Sequence, residues 1–485
     1  MPNDFKEKSI NSFVWKTAQS VCTLGMTFII QLVLARMLAP EDFGIVAITT
    51  VFMTLANTII ETSFSSSVIQ RENLDQKLVS SIFYANLVLS AAVYVLLFII
   101  AGPIAKFYSE PILVPILRIQ GLRTVFSGLY SIPQAFLNRK MRFKGLFFCS
   151  FAGSVVQAIV GFGMAYMGMG VWALVVSTLA GCVVTGFAII LIEPWKPSLF
   201  FSFGLVKEAL SFSSKILAIR VLRKLFYNIR VLLMGKVYNT EILGYFNKGF
   251  QFPSTAMTVV DGSLTAVAFT SLSKLQNDIE KLRSSLRQYV RVAMFICTPM
   301  LIGMALVAEP MVKVLLTEKW LGCVPFIQII CVSQLFIPLD VKTTAFEALG
   351  KSSLSMKLHV SSILLSIALL IATKSFSALV MTFSGFVSSV VLHIAVTVIS
   401  KKQLGYKIKD QLEDAFCGFV PTAAMIIAVA AISFLNVGSF IKLCVEVIFG
   451  AAVFVAAAAV TKNKVFYLIL DIAKSKITKG KKCRY

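Results

Sequence analysis

The sequence predicts an all-α integral membrane protein of about fourteen transmembrane helices: two six-helix halves followed by two further helices. Three observations predict it. Hydrophobic residues make up 57% of the 485-residue chain and charged residues 14%, with a mean hydropathy of +0.84. Fourteen apolar windows of bilayer length follow one another with short polar breaks, and a displacement of 200 residues lays the first half of the chain on the second.

Composition comes first. Soluble domains carry about 25% charged residues, so a chain this apolar can place its surface only against lipid tails. Forty-six Lys and Arg against 23 Asp and Glu give a formal charge of +23, which together with 40 Phe also admits nucleic-acid binding. The location of the basic residues decides between these readings. Among the nine Cys, Cys22, Cys149, Cys182, Cys297, Cys331, Cys417 and Cys444 lie in apolar runs, and no C-x-x-C pair or Cys/His metal spacing occurs. They read as packing residues. Residues 1–11 lead into an apolar stretch without a small-x-small cleavage site, which reads as a retained first span.

A helix needs roughly 20 apolar residues to cross the hydrocarbon core. Such windows fall at about 12–36, 43–65, 79–101, 113–137, 146–168, 171–192, 209–234, 243–266, 286–308, 323–347, 354–373, 377–399, 415–436 and 440–460. The ten-residue alternation of a membrane β-barrel is absent. Basic residues in the connecting segments alternate with the spans. The N-terminal face collects 27 of them, including Arg139, Lys140, Arg142, Lys144 and the tail from Lys462 to Arg484, against seven on the other face. By the positive-inside rule both termini are cytoplasmic. The tail then reads as a segment facing anionic lipid, and no nucleic-acid partner is expected.

The 200-residue displacement brings Leu34–Glu61 onto Met234–Asp261, pairing Arg36 with Lys236, Glu41 with Glu241, Gly44 with Gly244 and Glu61 with Asp261. Polar pairs at a steady offset signal duplication. Six spans separate the copies, so both halves share one orientation, the parallel-repeat arrangement of many transporters. The expected domains are 1–200, 201–402, an unduplicated pair of spans in 403–462, and a basic tail in 463–485.

Twelve basic residues border or enter the spans, against five acids: Glu61, Asp261, Asp340, Glu347 and Glu446. Each intramembrane charge costs roughly 2.5–3.5 kcal/mol on lenient scales, so these side chains are expected to face a hydrated interior. In span 7, Arg220, Arg223, Tyr227 and Arg230 recur at helical spacing along one face. An Arg- and Lys-lined interior suits phosphates or acidic sugars. The candidate substrate contacts are Lys16, Arg123, Lys215, Arg220, Arg223, Lys248 and Arg291. For Arg118, Lys224, Arg287 and Lys342, snorkelling to the interface is the competing reading. Glu61 and Asp261 are candidates for gating the inner mouth or coupling to a cation, with a salt bridge between halves as the alternative. His359 and His393 read as packed, and Pro133, Pro253, Pro299 and Pro338 as kinks. No Walker loop, H-E-x-x-H or nucleophile elbow is present, and the short loops leave no room for a soluble catalytic domain.

The run Leu34-Ala35-Arg36-Met37-Leu38-Ala39-Pro40-Glu41-Asp42-Phe43-Gly44, the opening Trp15-Lys16-Thr17, the Arg139–Phe143 loop and Gly244-Tyr245-Phe246-Asn247-Lys248 resemble the polysaccharide transporter family of bacterial O-antigen and exopolysaccharide flippases, nearest its colanic-acid export branch. The resemblance implies membership of the superfamily that contains multidrug and toxin extrusion transporters and the lipid II flippase. It implies two six-helix lobes in a V that opens alternately to each side of the bacterial inner membrane. It also implies an undecaprenyl-pyrophosphate-linked oligosaccharide as substrate, with polymerase and export machinery as partners and the two extra spans as a cradle for the lipid tail. No cofactor is expected; a proton or sodium ion is the candidate coupling ion. The rival readings are a multidrug exporter, which needs intramembrane carboxylates where span 1 offers Lys16, a peptidoglycan-precursor flippase, and a membrane glycosyl polymerase or ligase, which usually needs a large external loop.

Overall fold

The computed structural model describes residues 3–70, 75–434 and 437–471; within these, the side chains of 3–13, 62–70, 208–213, 215–216, 261–267 and 269 lie outside the description. The described residues are helical or connecting, with no strand. The chain divides into two compact units, Met1–Gly244 and Tyr245–Tyr485.

The first unit holds α1 (Asn3–Met37), α2 (Pro40–Gln70), α3 (Gln76–Tyr108), α4 (Leu113–Arg139), α5 (Phe143–Tyr166), α6 (Val171–Ile192) and α7 (Phe203–Val237), and α8 (Thr240–Ser273) begins in it. The second holds the rest of α8, then α9 (Ile279–Leu306), α10 (Ala308–Leu315), α11 (Val324–Gln334), α12 (Val341–Ala348), α13 (Ser352–Thr373), α14 (Ala378–Leu404), α15 (Ile408–Ala415), α16 (Phe419–Ser433) and α17 (Ser439–Val460). Eleven stretches are long and apolar enough to cross a membrane. The described residues thus support eleven of the fourteen expected crossings by length and hydropathy. The other three windows lie in α4, α7 and α8; α4 carries Arg118 and Arg123, and α7 carries Arg220, Arg223, Lys224 and Arg230.

Local sequence sets the helix ends. Pro40 opens α2 with Glu41 and Asp42 in the first turn, where carboxylates oppose the positive end of the helix, and the Asp42 carboxylate accepts the Ala39 N–H at 3.1 Å. Asp278 caps α9 by accepting the Lys281 N–H at 3.0 Å, and the Lys281 side chain, more than that backbone bond, holds the Asp278 carboxyl below its ordinary value. The tenth expected span, 323–347, is not one helix. It is interrupted by a 3₁₀ turn at Ile337–Asp340 that contains Pro338, which cannot donate to the helical ladder.

Within the first unit α5 packs on α6, α3 on α4, and α2 on both α4 and α7. Lipid tails are as apolar as side chains, so close contact between small residues, more than burial from water, holds such helices together. A Cβ added to Gly153 of α5 would stand 2.7 Å from the Gly181 carbonyl oxygen of α6, and one on Gly181 would stand 2.9 Å from the Gly153 oxygen. Because α7 packs on α2 and α3, the division between compact units falls at Gly244, one helix beyond the repeat boundary expected at 200. Segments that the 200-residue displacement pairs meet inside that unit. A Cβ on Gly44 would lie 1.8 Å from the Thr240 carbonyl oxygen, and one on Gly244 would lie 2.0 Å from the Pro40 oxygen. Pro40 and Thr240 are themselves 200 residues apart, so the contact is reciprocal between positions that the displacement pairs.

In the second unit, Leu282, Leu286, Val290 and Met294 recur every fourth residue along α9 and are buried with Phe346 and Tyr406. The same helix carries Arg283, Arg287 and Arg291 at four-residue spacing on another stripe. One face of α9 therefore packs, and the other presents cations.

Candidate functional site

The charges at bilayer depth sort into groups by unit. In the first unit, Glu61 of α2 sits in the field of three cations: Arg123 of α4 acts on it most strongly, then Lys224 and Arg220 of α7. Glu61 itself is exposed. The packing of α2 on α4 and α7 brings these residues together, so a carboxylate and three cations from three separated segments form one cluster with surplus positive charge. The Arg123 Nε–H is buried and has no hydrogen-bond partner among the described residues, and the same holds for Arg118 and Arg230. An unsatisfied buried guanidinium donor is costly, which favours an anionic acceptor at these positions. Arg118 instead stacks on Phe98, its guanidinium carbon 4.0 Å from the ring centre.

The α7 stripe divides. Arg220, with Lys224 one turn on, lies in the field of Glu61; these two, Arg223 and Tyr227 are all exposed, and Arg230 is half-buried. Lys224, which the sequence left to snorkelling, belongs with the cluster. Lys16 lies elsewhere, on the α1–α5 side: its ammonium is 3.4 Å from the Gln19 amide oxygen and 5.4 Å from the centre of the Phe143 ring. Lys215 and Asp261 lie on α7 and α8, but their side chains are outside the described residues.

The second unit uses its cations differently. Lys248 is buried, donates to the Gln251 amide oxygen at 3.0 Å and lies 6.0 Å from the centre of a Trp320 ring. Lys342 does not snorkel: it is 2% exposed, and its ammonium donates to Gln411 at 2.8 Å and lies 3.4 Å from the Thr397 hydroxyl. Arg291 donates through Nε to Asp414, which also accepts two bonds from Arg287 at 2.8 and 3.2 Å and the Tyr406 hydroxyl at 2.6 Å. Asp414 is fully buried and Arg287 additionally pairs with Asp410 at 3.3 Å, so Arg287 and Arg291 anchor α15 to α9. Arg291 thereby has a protein carboxylate as its partner, where the sequence suggested a substrate.

Sequence reasoning missed Asp414 because residues 401–415 read as a basic connecting loop, although the run Tyr406…Asp410…Asp414 has the spacing of a helix face. It also missed Glu193, which Lys140 and Arg142 both grip, the latter at 3.3 Å. The basic loop at 139–144 is thus partly tied down as well as positive. His393 is packed as expected, its ring 5.4 Å from that of Phe336 and its Nε2 3.3 Å from an Asp340 carboxylate oxygen. No group of three or more metal-ligating side chains occurs among the described residues.

Residues 33–325 match the model of a family described as polysaccharide biosynthesis protein. The lipopolysaccharide biosynthesis protein WzxC of Escherichia coli (strain K12) is 25% identical over 334 residues, covering 67% of each chain. The teichuronic acid biosynthesis protein TuaB of Bacillus subtilis (strain 168) is 23% identical, covering 70% of this chain and 71% of its own. Among solved structures, an inward closed lipid II flippase MurJ superposes with a TM-score of 0.72 at 15% identity over 93% of this chain and 98% of its own. An inward-facing multidrug resistance transporter of the MATE family follows the same path with a TM-score of 0.61 at 14% identity, over 78% of this chain and 96% of its own. At these identities the structural likeness establishes a shared fold.

Proposed function

The chain belongs to the family of polysaccharide biosynthesis proteins, and on that footing we propose that it is a flippase, and no enzyme, that carries an undecaprenyl-pyrophosphate-linked oligosaccharide from the cytoplasmic to the periplasmic leaflet of a bacterial inner membrane. In this reading fourteen helices cross the membrane, both termini are cytoplasmic, and the repeats rock about a bound headgroup to give alternating access. The observation that carries it is the cluster of Arg123, Lys224 and Arg220 around the single carboxylate of Glu61. A pyrophosphate diester brings negative charge into a low-dielectric interior, and surplus guanidinium and ammonium groups offset its desolvation. Arg223, Lys16 and Lys215 are further proposed contacts along the path, and the sugars travel through water while the polyprenyl chain stays in lipid.

The same cluster argues against the exporter reading. A cationic drug needs an unengaged carboxylate, and Glu61 lies in the field of three protein cations.

Translocation of a fluorescent undecaprenyl-pyrophosphate oligosaccharide by the purified chain in phosphatidylethanolamine–phosphatidylglycerol vesicles tests the proposal. Arg123→Gln and Arg220→Gln should each lower transport about ten- to a hundredfold, the loss that one charge-assisted phosphate bond implies. Lys106→Gln, at the end of α3, should leave it unchanged. Wild-type rates in the Arg123→Gln/Arg220→Gln double variant would remove the site. Glu61 and Asp261 are the proposed coupling carboxylates for H⁺ or Na⁺. Glu61→Gln should abolish stimulation by an imposed gradient while leaving downhill exchange; retained stimulation would assign Glu61 to structure alone.

A further inference from the structure

Where the chain leaves α17, Asn463 turns it back: its side chain accepts the Val465 N–H at 2.9 Å and donates to the Cys417 carbonyl at 2.6 Å. The helical run 464–471 that follows packs on α9, with Val465, Phe466 and Ile469 against Phe295 and Val292. Between α9 and this run lies an open cavity of about 410 Å³ lined by Ser284, Arg287, Gln288, Arg291, Lys464, Val465 and Leu468. The floor is polar and cationic, and Val465 and Leu468 make one wall apolar.

The cations here are positioned by the protein's own ion pairs. Arg291 spends Nε on Asp414, and its side chain is 38% exposed on the cavity. Arg287, held to Asp414 and Asp410, is 26% exposed beside it. Lys464 is exposed and makes no ion pair with a described residue. Two guanidinium groups fixed by one buried carboxylate, the exposed Lys464 ammonium, a serine hydroxyl and a glutamine amide line the same cavity and form a set of donors for one oxyanion of phosphate type. The apolar wall is what a headgroup attached to acyl chains would meet and a free ion would not.

We propose that this cavity is a binding site for a phosphate group, set in the second unit beside the start of the C-terminal tail and distinct from the Glu61 cluster. Occupancy ties α9 to the 464–471 run through the shared anion. The bound phosphate belongs to an anionic phospholipid or to a soluble phosphate ester, and the experiment separates the two.

The full chain, purified in a mild detergent, is exchanged into nanodiscs of phosphatidylcholine with or without 20–30% phosphatidylglycerol, on the order of a bacterial leaflet's anionic content. Lipid that copurifies on release is counted by native mass spectrometry. Phosphatidylglycerol should be retained by the wild type, and Lys464→Gln should lower retention about fivefold, the loss expected for one basic residue at a lipid surface. Arg291→Lys keeps the pair with Asp414 and loses the fork, and should also lower it. Because the tail is itself basic, Lys479→Gln, Lys481→Gln and Lys482→Gln measure the general surface attraction, and each should lower retention less than Lys464→Gln does; an equal loss overturns the site. Displacement by millimolar inorganic phosphate assigns the site to soluble phosphate; retention in its presence assigns it to lipid. Equal retention of phosphatidylcholine, or wild-type retention in Lys464→Gln/Arg291→Lys, overturns the site. Lys464 is exposed at the cavity mouth, so its substitution leaves the buried pairs, and hence folding, intact.

Discussion

Asp414→Ala should destabilise the second unit by about 3–5 kcal/mol, the cost of leaving buried charge without its partner. This carboxylate is fully buried and accepts bonds from Arg287, Arg291 and Tyr406. Its removal strands two guanidinium groups and a phenol at once. Asp410 still faces Arg287 at 3.3 Å and relieves part of the loss, so Arg291 is the group left worst compensated. Thermal unfolding in detergent, followed by tryptophan fluorescence, should show the midpoint falling well below the wild type. Asp414→Leu combined with Arg291→Leu should cost less than the sum of its parts, because the second change removes the charge that the first exposes. Additive losses would mean that the pair makes no coupled contribution. Lys342 offers a smaller version of the same experiment. Lys342→Met removes the buried ammonium but leaves the buried Gln411 amide oxygen without its donor, and should cost about 1–3 kcal/mol.

The contrast between Asp414 and the spans shows what a sequence of this kind discloses. Helix positions follow from a solvent constraint that acts residue by residue: roughly 20 apolar positions, ended by Pro, Gly or charge, must become helix in lipid. Expected spans 5 and 6, 146–168 and 171–192, accordingly coincide within a few residues with Phe143–Tyr166 and Val171–Ile192. The glycines at the 200-residue offset were legible for a related reason, since Gly44 and Gly244 are fixed by close backbone approach and tolerate few alternatives. What a cation pairs with is a different kind of fact. Arg291 and Asp414 are separated by 123 residues, and nothing in the spacing of either announces the other. Arg123, Arg220 and Lys224 meet at Glu61 only because α2 packs on α4 and α7. Depth in the membrane could be estimated from position along a span, so the surplus of positive charge was visible. Its division into a cluster around one acid, an anchor for α15 and two buried lysines depends on helix rotation, which hydropathy leaves open where the surroundings are apolar on every side. Pro338 marks an intermediate case: the residue that breaks the expected tenth span was identifiable, but not that the break would be a 3₁₀ turn between two short helices.

Gly44→Ala should reduce translocation at least about tenfold while leaving the chain folded, because overpacking at one contact costs about 1–3 kcal/mol, less than a typical domain's total stability. The new methyl would stand 1.8 Å from the Thr240 carbonyl oxygen, far inside van der Waals contact. The obstructing atom is backbone, so no rotamer change relieves it, and residues 40–44 and 240–244 must move apart by more than an ångström. Gly244→Ala drives the same two segments apart through the Pro40 oxygen at 2.0 Å, so the double variant should be little worse than either single one. That non-additivity distinguishes a shared crossing from two unrelated packing defects, which would multiply. Serine at either position, only slightly larger than alanine, should behave as alanine does, whereas Gly163→Ala, whose added Cβ meets nothing within 4 Å, should transport normally. If a transporter must form this crossing once in every cycle, the variants will populate the conformation in which residues 40 and 240 are separated. A cysteine pair at Pro40 and Thr240 should then cross-link readily in the wild-type background and poorly with Gly44→Ala. Equal cross-linking and equal transport would show that the close approach of these two repeat-related turns has no part in the cycle.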